Sequence, residues 1–180
     1  MAAAFVTAPW TYPVTWAEIG AGRRRLRLAA DETQRAAVAQ LLDLPAVLSF
    51  EADLMLSPWL DGAEIAGRFD AVVTQECGVS LDLFDAAVSG DLAVRVVPVG
   101  SPNAPELQQG EVAVDLDAED PPDVVEGPGF DVGQYLVEHL ALALDPFPRK
   151  PGAEFEAPPE PTLTSPFAAL AALKRDRESD

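Results

Sequence analysis

One cysteine, Cys77, and one histidine, His139, are all the chain holds of the two side chains that most often bind zinc or iron–sulfur clusters. A lone cysteine closes no internal disulfide, and one Cys with one His completes no zinc or iron–sulfur ligand set, so no metal or cofactor is expected. This cysteine usage fits a reducing, cytoplasmic setting. Basic residues are scarce as well: 12 Lys and Arg face 30 Asp and Glu across 180 residues, for a formal net charge of -18 and a pI near 4.2. Such a field repels nucleic-acid phosphates and attracts basic partners, which disfavours broad, direct RNA or DNA binding. No apolar run approaches the roughly 18 to 20 residues that a membrane span requires. Residues 1–17 carry no charged side chain, but without a basic start, and with Pro9, Trp10, Tyr12 and Pro13 interrupting them, they are not read as a signal peptide. The chain also lacks a calcium loop, a glycine-rich phosphate cradle, a nucleophile elbow and an HExxH helix, so no catalytic residues are assigned.

What is present is enough for one core, with 48% hydrophobic residues. The stretch around which the rest is organised runs from Phe130 to Ala153. Asp131 stands as an N-cap with Gln134 at capping-box spacing. Val132, Tyr135, Leu136, Leu140, Ala143 and Leu144 then recur with a helical period, until Pro146, Pro148 and Pro151 stop the helix. Its apolar stripe needs a sheet to cover, and the segments between Ala46 and Pro98 supply one. Leu48, Phe50, Ala52, Leu54 and Leu56 alternate with polar residues, as do Ile65, Gly67, Phe69, Ala71 and Val73 after a Pro58–Gly62 turn. Val79, Leu81, Leu83, Val88, Leu92, Val94 and Val96 continue the meander, with Gly78 and Ser89-Gly90 as breaks or bulges. Cys77 is expected on the apolar side of this sheet as a small buried hydrophobe.

Nearer the start, Tyr12, Val14 and Trp16 suggest a short edge strand. RRRLRLA, residues 23–29, sets Leu26 and Leu28 against Arg23, Arg25 and Arg27. Those arginines are either the solvated face of an exposed strand or a local RNA contact. Asp31 and Gln34 form a second capping box, opening a helix with Val38, Leu41 and Leu42 on its apolar side. Between Arg95 and Arg149, residues 96–148, 53 consecutive positions carry no Lys or Arg while eleven carboxylates fall among them. Within this stretch Asp115, Asp117, Glu119 and Asp120 are either a solvated acidic loop or a dock for a basic partner. Past Ala153 the chain turns proline-rich, and Ser165-Pro166 then opens a short helix with Phe167 and Leu170 on its apolar face. The expected organisation is an α+β domain over residues 1–153, an antiparallel β meander packed by one or two helices. Residues 154–180 follow as a proline-rich linker and short C-terminal helix.

Three of these stretches together resemble the YceD family, the bacterial large ribosomal RNA subunit accumulation proteins, in its single-cysteine form. They are FDAVVTQECGVSL at Phe69–Leu81, DVGQYLVEHLALALDPFPRKPGA at Asp131–Ala153 and SPFAALAALK at Ser165–Lys174, with WTYPVTW at Trp10–Trp16 matching more loosely. Other family members carry a pair of cysteines around this hairpin. With Cys77 alone, no metal or redox role is carried over. The resemblance implies a non-enzymatic factor in ribosome biogenesis that supports accumulation or assembly of the large-subunit (23S) ribosomal RNA. Its expected partner is a basic ribosomal protein or a pre-large-subunit particle, with direct RNA contact the weaker route. Asp115, Asp117, Glu119, Asp120, Arg149, Lys150, Phe167 and Leu170 are the candidate partner-binding residues. From another class stands the alternative of a carboxylate-dependent hydrolase or RNA-processing enzyme.

Overall fold

The structure is a computed structural model and describes residues 9–105 and 120–155. Its centre is a mixed five-stranded sheet in the order β2-β3-β4-β5-β6. Strands β2 (Arg24–Ala29), β3 (Ala46–Trp59), β4 (Gly62–Glu76) and β5 (Leu83–Pro98) pair antiparallel in succession, and β6 (Asp123–Val125) adds in parallel to the end of β5. A separate two-stranded ribbon joins β1 (Pro13–Thr15) to β7 (Gly129–Asp131). The helices are α1 (Trp16–Gly20), α2 (Glu32–Leu41) and α3 (Val132–Ala143). The α+β class and the meander covered by helices agree with the sequence; the expected helix after Ser165 lies outside the described residues.

The strands form where period-two alternation is cleanest, and the register aligns their apolar positions across the sheet. Leu26 lies opposite Leu54, Leu56 opposite Ile65, and Ile65 opposite Val94. One face is therefore continuous hydrocarbon, closed by Val38 and Ala39 from α2 and by Val132, Leu136, Val137 and Leu140 from α3. At its centre Trp10, Phe50 and Phe69 meet edge to face, with ring centroids 4.8 and 6.0 Å apart. The other face is open, and Glu51, Asp53, Asp70, Asp85 and Asp91 stand on it in solvent.

Several sequence expectations need correction. The ladder shifts register between Val47 and Ser49, so Val47 is buried and Leu48 is 49% exposed; a bulge reverses the alternation at the start of β3. The β3–β4 turn is tighter than Pro58–Gly62, because Pro58 pairs with Ala63 and Trp59 with Gly62, leaving Leu60 and Asp61 as its two residues. Ser89 and Gly90 are no break, since β5 pairs with β4 without interruption from Leu83 to Val96. Val79 and Leu81 belong to the loop before β5 rather than to a strand, and Leu81 is exposed with φ of 59°. On α2 Leu41 points outward while Ala39 is buried, and on α3 Val137 is buried while Ala143 is exposed. Trp16 opens α1 instead of continuing β1.

The capping box at Asp31 and Gln34 forms as expected, but at α3 only its first half does. Asp131 accepts from the backbone of Gly133 at 2.8 Å and of Gln134 at 3.4 Å. The Gln134 side chain donates forward to Glu138 rather than back to the cap. The same carboxylate also accepts the Tyr12 N–H at 2.7 Å, so the cap of α3 holds the N-terminal ribbon too.

Gly90 lies directly opposite Phe69, and a Cβ added there would stand 2.7 Å from the ring. Gly90→Ala should therefore destabilise the fold by about 1–3 kcal/mol through overpacking, read as a lower thermal midpoint. An unchanged midpoint would show that the Phe69 ring has room to move.

Candidate partner-binding surface

The open face of the sheet is built by register alone. Arg27, Asp53, Arg68 and Asp91 occupy successive partner positions on β2, β3, β4 and β5 and make a row of alternating charge across four strands. Within it Asp53 takes two arginines: Arg25 approaches with Nε 2.7 Å from Oδ1 and Nη2 2.5 Å from Oδ2, and Arg27 Nε lies 3.6 Å from Oδ2. The Arg25 guanidinium holds the Asp53 carboxyl below the ordinary carboxylate range, helped by Arg27. Arg24 pairs with Glu18 at 3.2 Å. Of the suggested RNA-contact set, Arg25 and Arg27 are thus already engaged with an acid, and Arg23 stands exposed just before β2.

At one end of the sheet the loop between β4 and β5 folds onto the chain leaving α3. The Gly78 N–H donates to the Pro148 carbonyl at 2.9 Å, and Lys150 Nζ reaches Asp82 Oδ2 at 3.1 Å. Lys150 is therefore a clamp on this loop, whereas Arg149 is exposed. Cys77 is fully buried, as expected, but in different company: it follows the end of β4, and its Sγ accepts the N–H groups of Val79 and Ser80, each at 3.4 Å. The Ser80 hydroxyl, the Ser80 N–H and the Lys150 N–H hold the thiol down, to about 6, against the opposing effect of burial. A sulfur surrounded by donors favours the thiolate, which a purely hydrocarbon pocket would not. Among the described residues no group of three or more His, Cys, Asp or Glu converges to hold a metal ion.

Along the outer side of β5 lie two clefts. One of about 580 Å³ is lined by Glu64, Val94, Arg95, Asp120, Asp123 and His139 among others, and the second, of about 410 Å³, by Phe84, Ala86, Val88, Ala143, Pro148 and Arg149 among others. His139 is half-buried, its Nδ1 donating to the Tyr135 carbonyl at 2.8 Å, which leaves Nε2 as the acceptor of the neutral ring. Burial, reinforced by Asp123, pushes the Tyr135 phenol up. Arg95 pairs with Glu64 at 3.2 Å and lies over the Trp59 ring, 5.1 Å from its centroid.

Of the acidic candidates, Asp120 is exposed on the wall of the larger cleft, while Asp115, Asp117 and Glu119 lie outside the described residues, as do Phe167 and Leu170. The structure brings Arg149 and Lys150 to the end of β5 that carries the Cys77 loop. The neutralisation of Arg25 and Arg27 escaped a reading of the sequence, because Asp53 is 28 residues from Arg25 and meets it only through the β2–β3 register. The alternation of both strands contained the signal, but only once their pairing was known.

A sheet covered on one face by helices, with grooves along its edge, defines a domain of α+β class. A model of the family described as large ribosomal RNA subunit accumulation protein YceD matches residues 65–174, more than half of the chain, and the chain belongs to that family. The family description names a role in accumulation of the large ribosomal RNA, not an enzyme activity. No curated protein and no solved structure matches the chain. Among the described residues no helix is long and apolar enough to cross a membrane.

The Cys77 environment sets a pH dependence. Its folded-state pKa lies below that of an unfolded thiol, about 8.5, so its contribution to stability is present above that value and is lost as pH falls through about 6. The difference in thermal midpoint between the wild type and Cys77→Ala should therefore widen as pH rises from 6 to 8.5. A difference that stays flat over that window would show that the thiol remains neutral in the fold.

Proposed function

We propose that this protein supports accumulation of the large-subunit ribosomal RNA indirectly, by holding a basic ribosomal protein or a pre-large-subunit particle. The observation that carries the reading is the pairing of Arg25 and Arg27 with Asp53, which takes the densest basic segment of the chain out of competition for phosphate. The net charge of -18 and the 53-residue stretch without a basic side chain support the same direction. An unassembled ribosomal protein is a polycation; an acidic holder speeds its capture and masks it from wrong nucleic acids. In this reading Asp115, Asp117, Glu119 and Asp120 supply the attracting field. Arg149, Phe167 and Leu170 add contacts to the partner, and Lys150 holds the β4–β5 loop through Asp82. The protein acts by binding, in the cytoplasm, without a cofactor.

A pulldown from lysate at low and high salt, with and without ribonuclease, tests this. A large-subunit protein should co-purify at low salt whether or not ribonuclease is present, and be lost at high salt. Reversing Asp115, Asp117, Glu119 and Asp120 to lysine should weaken the association, and neutralising Arg23, Arg25 and Arg27 should change it little. Tight, salt-sensitive binding to naked ribosomal RNA, abolished by changing those three arginines to alanine, would replace this reading with direct RNA contact.

A further inference from the structure

Among the described residues no strand pairs with the outer edge of β5 from Leu83 to Val94, and β6 begins to pair only at Val96. Val99 donates outward to the Val125 carbonyl at 3.0 Å. By the two-residue alternation of a strand, the N–H and C=O groups of the other odd-numbered residues point to the same side. Asp85, Ala87, Ser89, Asp91 and Ala93 thus present ten backbone groups, two each, and among the described residues none has a backbone partner. Natural edges of this length are usually blocked by lysine, proline, a bulge or a covering helix. Residues 83–97 contain neither lysine nor proline, and β5 runs through without a register shift. What they do contain is acid: Asp85 and Asp91 stand exposed on the strand, and Asp120 and Asp123 flank its far end. A second copy of a chain with net charge -18 is repelled by such an edge.

We propose that the β5 edge is a strand-addition site that takes an extended basic segment of a partner protein. Main-chain hydrogen bonds to the five odd-numbered residues give affinity. The added strand's outward lysines or arginines lie beside Asp85 and Asp91, and its inward side chains enter the two clefts between the edge and α3. The cleft at the Phe84 end sets hydrocarbon from Phe84, Ala86, Val88 and Ala143 beside the polar Gln75 and the carboxylate of Asp145, which suits a side chain with an aliphatic stem and a polar end. The cleft at the Arg95 end carries Asp120 and Asp123, which suit a cation. This inference rests on the reading of a basic protein partner and names where on the fold that partner is held.

The test uses the full chain and a ten-residue peptide of alternating lysine and valine, with a glutamate–valine peptide as control. Binding should slow amide exchange at Asp85, Ala87, Ser89, Asp91 and Ala93 and leave the even-numbered amides, already bonded to β4, unchanged. Ala87→Pro and Ala93→Pro each remove one outward N–H without touching the β4 ladder. Each should weaken the lysine–valine peptide about tenfold at an unaltered thermal midpoint. Binding that leaves the odd-numbered β5 amides unprotected overturns the proposal. So does protection of those amides in the free protein that grows with concentration, which marks a second copy, or that is lost on removing residues 156–180, which marks the chain's own tail. If the double proline variant still retains the same large-subunit protein in the salt-dependent pulldown, the edge site is wrong and the proposed function stands. If the wild type retains none, both fall.

Discussion

Three consecutive strands of 14, 15 and 16 residues present one apolar face, and that face has to be covered. No single element among the described residues is large enough to do so. A ten-residue helix closes the side near β3, a twelve-residue helix the side near β5, and Trp10 fills the space between by leaning on Phe50. Each buries only a few residues, so the domain's stability is spread over contacts made by segments far apart in sequence. The open face is the counterpart of this economy. With the described helices on one side, the second face stays in water, and charged side chains predominate on it beside a few apolar ones such as Met55 and Val72.

Six cations among the described residues are placed beside carboxylates. Arg24, Arg25, Arg27, Arg68, Arg95 and Lys150 all have an acidic neighbour within 4 Å. Exposed pairs of this kind add little stability, typically under about 1 kcal/mol each. Their larger effect is on the field. Because these six bases are matched locally, the excess of acid sets the potential that a basic partner feels at a distance.

Much of this architecture can be read in the residues themselves. The alternation in β3 and β4, the Asp31 capping box and the stripe of α3 are local patterns, and local patterns survive folding when nothing opposes them. Leu48 was misplaced because a bulge costs one residue of phase and leaves no mark in composition. Gly90 reads as a break, yet its role is set by the aromatic ring opposite, 21 positions earlier in the chain. Cys77 sits at the expected depth, but whether its neighbours are hydrocarbon or backbone donors depends on how the loop after it closes. The short α1 follows β1 after no gap, and a five-residue helix is below the length at which periodicity can be seen. That β5 has no described strand beside most of its outer edge is a matter of the order of the sheet, which local patterns do not carry.

The hold of Asp131 on Tyr12 has a consequence for how the protein is made. The β1 strand is among the first parts of the described domain to leave the ribosome, yet its partner strand and the carboxylate that receives Tyr12 come 114 to 119 residues later. At ordinary rates of synthesis that is a wait of roughly 6 to 24 s. Until then the meander of β3, β4 and β5 can pair but its apolar face lacks both α3 and the ribbon that anchors Trp10. The nascent chain therefore spends much of its synthesis with exposed hydrocarbon, and β7 with the twelve residues of α3 completes the cover of that face.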